Sequence, residues 1–333
     1  MLTCERCSTY FRHVVPVVLL ILVAGLSRIA HAQVARMEVI PFQSTTLTDE
    51  EFLVGGKVGK PVTIAGELRL PRGGAERFPV VVLLHGSGGI SSYVTDWEQD
   101  LLAMGVATFV IDSFASRGIV STNNDPSQLG RFAQVEDAYR ALEVLEKHPR
   151  IEPAKIMLMG FSRGGHATLY ASLRRFHRAH GPASGREFAM YIAFYPTCNI
   201  TYRDDDDLVA KPVRIFHGSA DNYVPVAPCR DYVNRLRAKG NDVQLTEYPG
   251  AQHVFDWKAL VEPLKLPKAQ TTRNCQLSEA ANGEIFNTKT NQPFTYQDPC
   301  VERGATMAYN QEASTKARAA IKELVTATGA KSP

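Results

Sequence analysis

The sequence predicts an α/β fold with a mainly parallel, doubly wound sheet and helices on both faces. Short apolar runs alternate with segments of helical spacing from about residue 78 to residue 248, which is typical of parallel strands joined by helices. The run Val80–Leu84 is apolar throughout, as expected for a strand that is covered on both faces. Further along, a serine between glycines lies where a strand would turn sharply into a helix.

The elements follow one another in a regular order. Two strands are predicted over 62–70 and 78–85, then a helix over 93–104 and a buried strand over 106–111. The next helix, over 132–147, has Val135, Ala138, Leu142 and Leu145 on one face, and it leads to a third central strand over 155–159. After the helix that follows Ser162, the remaining predictions are strands over 188–195 and 213–216, a helix over 227–239, a strand over 243–248 and a closing helix over 307–326.

Composition places the chain among ordinary globular proteins. Its 333 residues are 44% hydrophobic and 21% charged, and its net charge of +3 includes three arginines and one glutamate in the first 32 residues. Without those residues the net charge falls to +1, so nothing indicates a nucleic-acid partner. Residues 33–333 are expected to form a single domain. An excursion at about 256–305, rich in Pro, Asn, Thr and Gln, interrupts the alternation of strands and helices.

The amino terminus predicts export. Arg6 and Arg12 precede an apolar run from residue 14 to residue 26, and Ala30-His31-Ala32 supplies the small residues of a cleavage site. The alternative is an uncleaved membrane anchor, but thirteen residues fall short of the roughly 20 that a spanning helix needs. We therefore expect a signal peptide over 1–32 and a mature protein that is periplasmic or secreted and free of the membrane.

Cysteine usage agrees with export, because four cysteines remain after residue 32: Cys198, Cys229, Cys275 and Cys300. Four cysteines permit three pairings, and four buried thiols are the alternative. The hypothesis is that Cys198 pairs with Cys229, after two strands that should be neighbours, and that Cys275 pairs with Cys300 within the excursion.

The segment Gly160-Phe161-Ser162-Arg163-Gly164 predicts a nucleophile elbow. In such an elbow, a serine is exposed on a tight turn between a strand and a helix, and glycines are needed because side chains would crowd the turn. The motif alone is weak evidence, since residue types of ordinary frequency produce it by chance. Ser162 is nevertheless the candidate nucleophile because a predicted strand precedes it and a predicted helix follows it.

A serine needs a base and a third group that orients the base. In α/β-hydrolases the nucleophile is followed along the chain by the acid and then by the histidine. Only His253, in the loop after the last predicted strand, lies beyond the segment that could supply the acid. Asp221 follows the strand over 213–216, whereas Asp231, Asp242 and Glu247 fall inside or beside predicted elements, so Asp221 is the candidate acid.

An oxyanion hole needs fixed N–H donors near the nucleophile. The amide of Arg163, directly after Ser162, is one candidate. The loop His85-Gly86-Ser87-Gly88-Gly89 offers the other, with Ser87 favoured and Gly88 as the alternative. A dinucleotide site is a competing interpretation of this loop, but Ser91 stands where that motif has its third glycine.

Together these motifs resemble the dienelactone hydrolase family of α/β-hydrolases, from about Val62 to the last helix. The resemblance is carried by His85-Gly86, by Asp112-Ser113-Phe114 with Arg117-Gly118, by the elbow at Ser162, by Asp221 in His-Gly-x-x-Asp and by His253. It implies hydrolysis of a small ester or lactone through an acyl-enzyme, without a metal or an organic cofactor.

The chain departs from the best-known members of that family, which use a cysteine where this chain has Ser162. Those enzymes also hold a substrate carboxylate with arginine, and the resemblance makes Arg117 and Arg163 the candidates here. The alternatives are a loop salt bridge from Arg117 to Asp112 and a packing role for Arg163. A prolyl-peptidase-like serine peptidase and a non-catalytic binding protein on the same fold are the rival functions. The sequence does not specify an oligomeric state.

Overall fold

The computed structural model describes residues 34–73 and 75–328, so the predicted signal peptide lies outside the described residues. Its strands are β1 (Val34–Thr46), β2 (Lys60–Pro71), β3 (Phe78–Leu84), β4 (Ala107–Asp112), β5 (Ile151–Phe161), β6 (Tyr191–Phe194), β7 (Ile200–Thr201), β8 (Val213–Gly218), β9 (Val243–Tyr248), β10 (Leu264–Thr271), β11 (Leu277–Glu279), β12 (Ile285–Asn287), β13 (Gln292–Pro293) and β14 (Glu302–Met307). Its α-helices are α1 (Asp49–Leu53), α2 (Ser92–Ala103), α3 (Ala133–Leu145), α4 (Arg163–Tyr170), α5 (Arg174–His180), α6 (Ala227–Ala238) and α7 (Gln311–Ala327).

A sheet of eight strands in the order β1-β2-β4-β3-β5-β6-β8-β9 forms the centre of the molecule. The strands from β4 to β9 are parallel, and β1 and β2 extend the sheet as antiparallel strands at one edge. Every residue of β3 is buried, which explains its unbroken apolar sequence. The side chains of α2 and α7 pack on one face, and those of α3, α4 and α6 pack on the other. The predicted fold class is therefore confirmed.

The elements at the edges differ from the prediction. Strand β1 was not predicted, although it pairs along its whole length with β2. The closing helix begins at Gln311 rather than at residue 307, because Asn310 caps it by accepting a hydrogen bond from the amide of Ala313. Met307 instead ends β14. Over residues 34–73 and 75–328, none of the helices combines the length and the apolar character needed to cross a membrane.

The segment that interrupts the alternation forms two small sheets. Strands β10 and β14 pair antiparallel, and β11, β12 and β13 form a sheet that β7 joins. A disulfide links Cys275 to Cys300 within this segment, and a second links Cys198, after β6, to Cys229 on α6. These are the two pairs hypothesised from the sequence.

Candidate active site

Ser162 lies at the turn between β5 and α4. Its backbone is in a left-handed region with φ of 54°, which is strained for a residue with a side chain, and its amide donates to the carbonyl of Phe194 at 2.9 Å. The flanking glycines are required by space. A Cβ added at Gly160 would lie 2.1 Å from the carbonyl oxygen of Gly164, and one added at Gly164 would lie 2.3 Å from that of Leu84. The turn can therefore form only with glycine at both positions.

Ser162, His253 and Asp221 are joined by hydrogen bonds. The Nε2 atom of His253 lies 2.9 Å from the hydroxyl of Ser162, and its Nδ1 atom lies 2.6 Å from Oδ2 of Asp221. The other oxygen of Asp221 accepts from the amides of Tyr223 and Val224 at 2.9 and 2.8 Å. Because both carboxylate oxygens of Asp221 are engaged, the acid is fixed toward the imidazole.

Main-chain contacts hold the loop that carries His253. The carbonyl of His253 accepts from the amide of Ala308, directly after β14, at 3.1 Å. The rings of Tyr195 and Tyr223 pack against the imidazole, with centroids at 4.7 and 5.0 Å. Both His253 and Asp221 are buried, so water reaches the triad only from the side of Ser162. This arrangement suits a histidine that exchanges a proton with a serine.

The loop after β3 approaches Ser162 closely. A Cβ added at Gly86 would lie 3.4 Å from the Cβ of Ser162, and Ser87 lines the same pocket as Ser162. The carbonyl of Ser87 accepts from the amide of Thr122 at 2.8 Å, and this bond fixes the loop. Within the described residues, neither the Ser87 nor the Arg163 amide donates to a protein acceptor. Gly88, the alternative donor, does not line the pocket at Ser162.

His85 binds the main chain of this loop and that of the loop after β4. Its Nδ1 atom bonds to the carbonyl of Gly86 at 2.8 Å, and its Nε2 atom accepts from the amide of Ser113 at 3.2 Å. Burial lowers the pKa of His85, so the imidazole is neutral and the two bonds fix its tautomer. The histidine therefore has a structural role beside the predicted oxyanion hole.

Ser162 opens into a cavity of about 100 Å³. Ser87, Arg163, His166 and Tyr223 line it close to the nucleophile. Other parts of the wall come from residues that the sequence analysis did not single out, among them Arg131, Asn199, Tyr296 and residues 270–273. Residues 270–273 lie at the end of β10 and directly after it, and Tyr296 lies further along the same excursion. The excursion therefore forms part of the pocket wall. No local motif marks these residues, since only the tertiary fold brings them to Ser162.

Two buried arginines contribute positive charge to the pocket. Arg163 donates through Nη2 to the carbonyls of Leu129 and Gly130, and burial lowers the pKa of its guanidinium. Arg131 pairs with Asp49 at 2.8 Å and lies over the ring of Tyr296. The Nε atom of Arg163 and the Nη2 atom of Arg131 are buried and have no hydrogen-bond partner within the described residues. Both arginines line the pocket, so their positive charge lies beside it.

Arg117 does not line this pocket, contrary to its candidacy as a substrate-binding residue. Its guanidinium donates to Asp137, to the carbonyl of Ser113 and to the hydroxyl of Thr46. The expected partner, Asp112, instead accepts from the amides of its own loop. Four of its five N–H donors are used in these contacts, and Arg117 lies outside the pocket lining.

His166 is neutral in the folded protein. Burial, together with the charge of Arg131, lowers its pKa to about 3, although its bond to the carbonyl of Thr197 acts in the opposite direction. Its Nε2 atom faces the hydroxyl of Tyr202 at 3.3 Å. Across the described part of the chain, no three His, Cys, Asp or Glu side chains converge as metal ligands would. The side chains that hydrogen bonds join at the site are those of Ser162, His253 and Asp221.

Comparison with known proteins agrees with this chemistry. The sequence profile of the family described as "Dienelactone hydrolase family" matches residues 64–262. A protein of Methylorubrum extorquens named "Putative carboxymethylenebutenolidase" is 26% identical over an alignment of 238 residues that covers 66% of this chain and 78% of that protein. A Bradyrhizobium protein named "Probable 2-oxo-3-(5-oxofuran-2-ylidene)propanoate lactonase" is 23% identical over 54% of this chain and 74% of its own length.

A solved structure shares the fold. It is the crystal structure of a dienelactone hydrolase-like promiscuous phosphotriesterase from metagenomic libraries, with a TM-score of 0.55 and 16% identity over 87% of this chain and 98% of that one. At this identity the likeness concerns the fold alone.

Proposed function

Since the chain belongs to the dienelactone hydrolase family and is thus an ester hydrolase, we propose that it is a serine hydrolase of carboxylic esters or lactones. We assign the nucleophile to Ser162, the base to His253 and the orienting acid to Asp221. The observation that carries this proposal is the continuous chain of hydrogen bonds from Asp221 through His253 to the Ser162 hydroxyl. A serine of ordinary reactivity needs such a base to attack an ester near neutral pH.

The mechanism forms and breaks an acyl-enzyme. His253 removes the proton of Ser162 as its oxygen attacks the ester carbonyl, and Asp221 holds the imidazole and stabilises its positive charge. The amides of Ser87 and Arg163 donate to the oxygen that becomes negative. His253 then gives its proton to the departing alcohol oxygen, and a water molecule attacks the acyl group by the same steps. In a lactone the departing oxygen becomes a hydroxyl of the same acyl chain, and water then releases the hydroxy acid from Ser162.

The pocket beside Ser162, with a volume of about 100 Å³, supports a small ester or lactone as the substrate. The positive charges of Arg131 and Arg163, which both line the pocket, favour an ester that also carries a negatively charged group. In this proposal Arg131 takes the part that the sequence suggested for Arg117.

We also propose that the protein is exported after removal of residues 1–32. The two disulfides support export, because such bonds persist in oxidising compartments. Residues 33–333 would then act as one hydrolase domain, with the excursion at 256–305 forming a wall of its active site.

Labelling with a fluorophosphonate probe tests the proposal. The intact mass of the purified mature protein is measured, unreduced, before and after exposure to the probe. One adduct is expected on the wild type and none on Ser162→Ala. Ser87→Ala is the matched control, because it keeps the main-chain N–H and should label like the wild type. An absence of adduct on the wild type would favour a non-catalytic binding protein instead.

A further inference from the structure

A buried carboxylate outside the triad lies three residues after His253. Asp256 has no exposed surface. Its Oδ2 atom accepts from the indole N–H of Trp97 at 2.6 Å, and its Oδ1 atom accepts from the hydroxyl of Tyr195 at 2.8 Å. Neither bond is to a cation: the nearest guanidinium, that of Arg318, reaches only the main-chain carbonyl of Asp256, at 3.4 Å. An acid buried among neutral partners is costly, and the mechanism above does not use it.

Tyr195 connects this carboxylate to the catalytic base. Its ring centroid lies 4.7 Å from that of His253, so the phenol forms one wall of the space in which the imidazole can turn. Its backbone is in a left-handed region with φ of 39°, and its amide donates to the carbonyl of Phe216 at 2.7 Å. A non-glycine residue keeps such a conformation only where its surroundings determine it. The bond from the hydroxyl to Asp256 is one of those determinants.

Trp97 extends the same support to the elbow. Its ring lies 5.1 Å from that of Phe194, whose carbonyl accepts from the amide of Ser162. The carboxylate of Asp256 therefore binds two aromatic side chains. Tyr195 packs against His253, and Trp97 packs against Phe194, the residue of β6 that accepts from the Ser162 amide. Burial raises the pKa of Asp256, and the bonds from Trp97 and Tyr195 oppose that change.

We propose that Asp256 is a positioning residue for catalysis, which acts on His253 through the hydroxyl and ring of Tyr195. The inference rests on the proposed function, because it presupposes that His253 is the base. Asp256 touches neither the substrate nor the reacting atoms. Its effect is on how often the imidazole adopts the orientation that joins Ser162 to Asp221.

The test compares kcat and KM for a small neutral ester in three variants. Asp256→Asn and Tyr195→Phe should each lower kcat by about 10- to 100-fold, because small misplacements of a catalytic group have effects of that size. KM should stay within about twofold of the wild-type value, since the pocket at Ser162 does not include either residue. The double variant should be no slower than the slower single variant, because both changes break the same link.

Glu98→Gln is the matched control. Glu98 lies on the same helix as Trp97, is equally buried, and binds Thr108 and Arg69 rather than any residue near His253. It should leave kcat unchanged. A wild-type kcat in folded Asp256→Asn, an effect on KM alone, fully additive losses in the double variant, or an equal loss in Glu98→Gln would each overturn the inference.

Two outcomes need separate measurements. If Asp256→Asn does not fold, Tyr195→Phe decides the question alone, because it keeps the ring and removes only the hydroxyl. Probe labelling separates this inference from the proposed function. A wild type that does not label contradicts the function, whereas a labelled wild type with a fully active Asp256→Asn contradicts only the role of Asp256.

Discussion

The guanidinium of Arg117 grips the carboxylate of Asp137 through two hydrogen bonds, of 2.8 and 2.9 Å, and both side chains are buried. This pair attaches the loop after β4 to helix α3. Substituting Arg117 by Met leaves the carboxylate buried and unpaired, which should lower the free energy of unfolding by about 3 to 5 kcal/mol. KM for any ester should not change. Urea denaturation and steady-state kinetics check both expectations, with Arg174→Met, in an exposed pair with Asp207, as the control that should change little.

Asp221→Asn should lower kcat by about 10⁴-fold while the protein stays folded. The amide oxygen can still accept from the main chain of the turn, but the amide nitrogen cannot accept from Nδ1–H of His253, so the imidazole takes the wrong tautomer. Asp231, an exposed residue on α6, supplies the control, and Asp231→Asn should retain full activity. Steady-state kinetics on a chromogenic ester measure the difference. Comparable rates in the two variants would remove Asp221 from the triad.

Gly164→Ala should destabilise the protein by about 3 kcal/mol and abolish activity, because the new Cβ would lie 2.3 Å from the carbonyl oxygen of Leu84. That oxygen belongs to β3 and cannot move away without disturbing the loop at Ser87. Gly73→Ala is the matched control, since a Cβ there meets nothing within 4 Å. Thermal denaturation and probe labelling compare the two variants. Equal melting temperatures and equal labelling in Gly164→Ala and Gly73→Ala would contradict the packing argument.

The neutral state of His166 predicts a dependence of stability on pH. Its pKa is about 3 when folded and near 6.5 when unfolded, so as pH falls below about 6.5 the unfolded chain binds a proton that the folded protein does not. Stability is lost with falling pH at about 1.4 kcal/mol per unit, until the folded histidine also titrates. Between pH 7 and pH 5, His166→Gln should lose about 2 kcal/mol less of its free energy of unfolding than the wild type.

Urea denaturation of both proteins at the two pH values measures this difference. His85 and His217, whose pKa values are also lowered by burial, are present in both proteins and cancel in the comparison. An equal loss in the wild type and the variant would mean that His166 does not remain neutral.

Arg131→Gln should raise KM about tenfold for an ester that carries a free carboxylate, because it removes a positive charge from the pocket wall. The same ester with that carboxylate methylated should show little change, which makes the neutral substrate the control for damage to the pocket. A parallel rise in KM for both substrates would contradict a role for Arg131 in binding the charge.

The central strands could be predicted because each carries its own signal in apolar residues, as the run Val80–Leu84 does within β3. Strand β1 lacks that signal. It lies at the sheet edge, and Met37 and Val39 on its outer face are exposed while Arg36 and Glu38 interrupt its apolar residues. Its place is set by pairing with β2, which is not encoded in local composition.

Ser162, Asp221 and His253 could be predicted from their order along the chain and from their positions after predicted strands. In the structure hydrogen bonds join the three residues. The partner of Arg117 could not be found that way. Asp112, five residues before Arg117, was the nearer acid, but its carboxylate satisfies two amides of its own turn, as aspartates commonly do. Arg131 was missed for a similar reason, since its surroundings come from Asp49 and Tyr296, which are distant along the chain.

The wall of the cavity that faces Ser162 is built in part by residues 270–273 and by Tyr296, which lies inside the loop closed by Cys275 and Cys300. All of them follow His253 in the chain, whereas the nucleophile and the acid precede it. This part of the wall therefore lies in a different stretch of the chain from Ser162 and Asp221, although Arg131 and Tyr223 reach the cavity from earlier segments. An insertion or substitution in residues 270–296 would change the shape of this wall without altering Ser162, Asp221 or His253. Relatives that differ in this segment should therefore accept different esters while they keep the same mechanism.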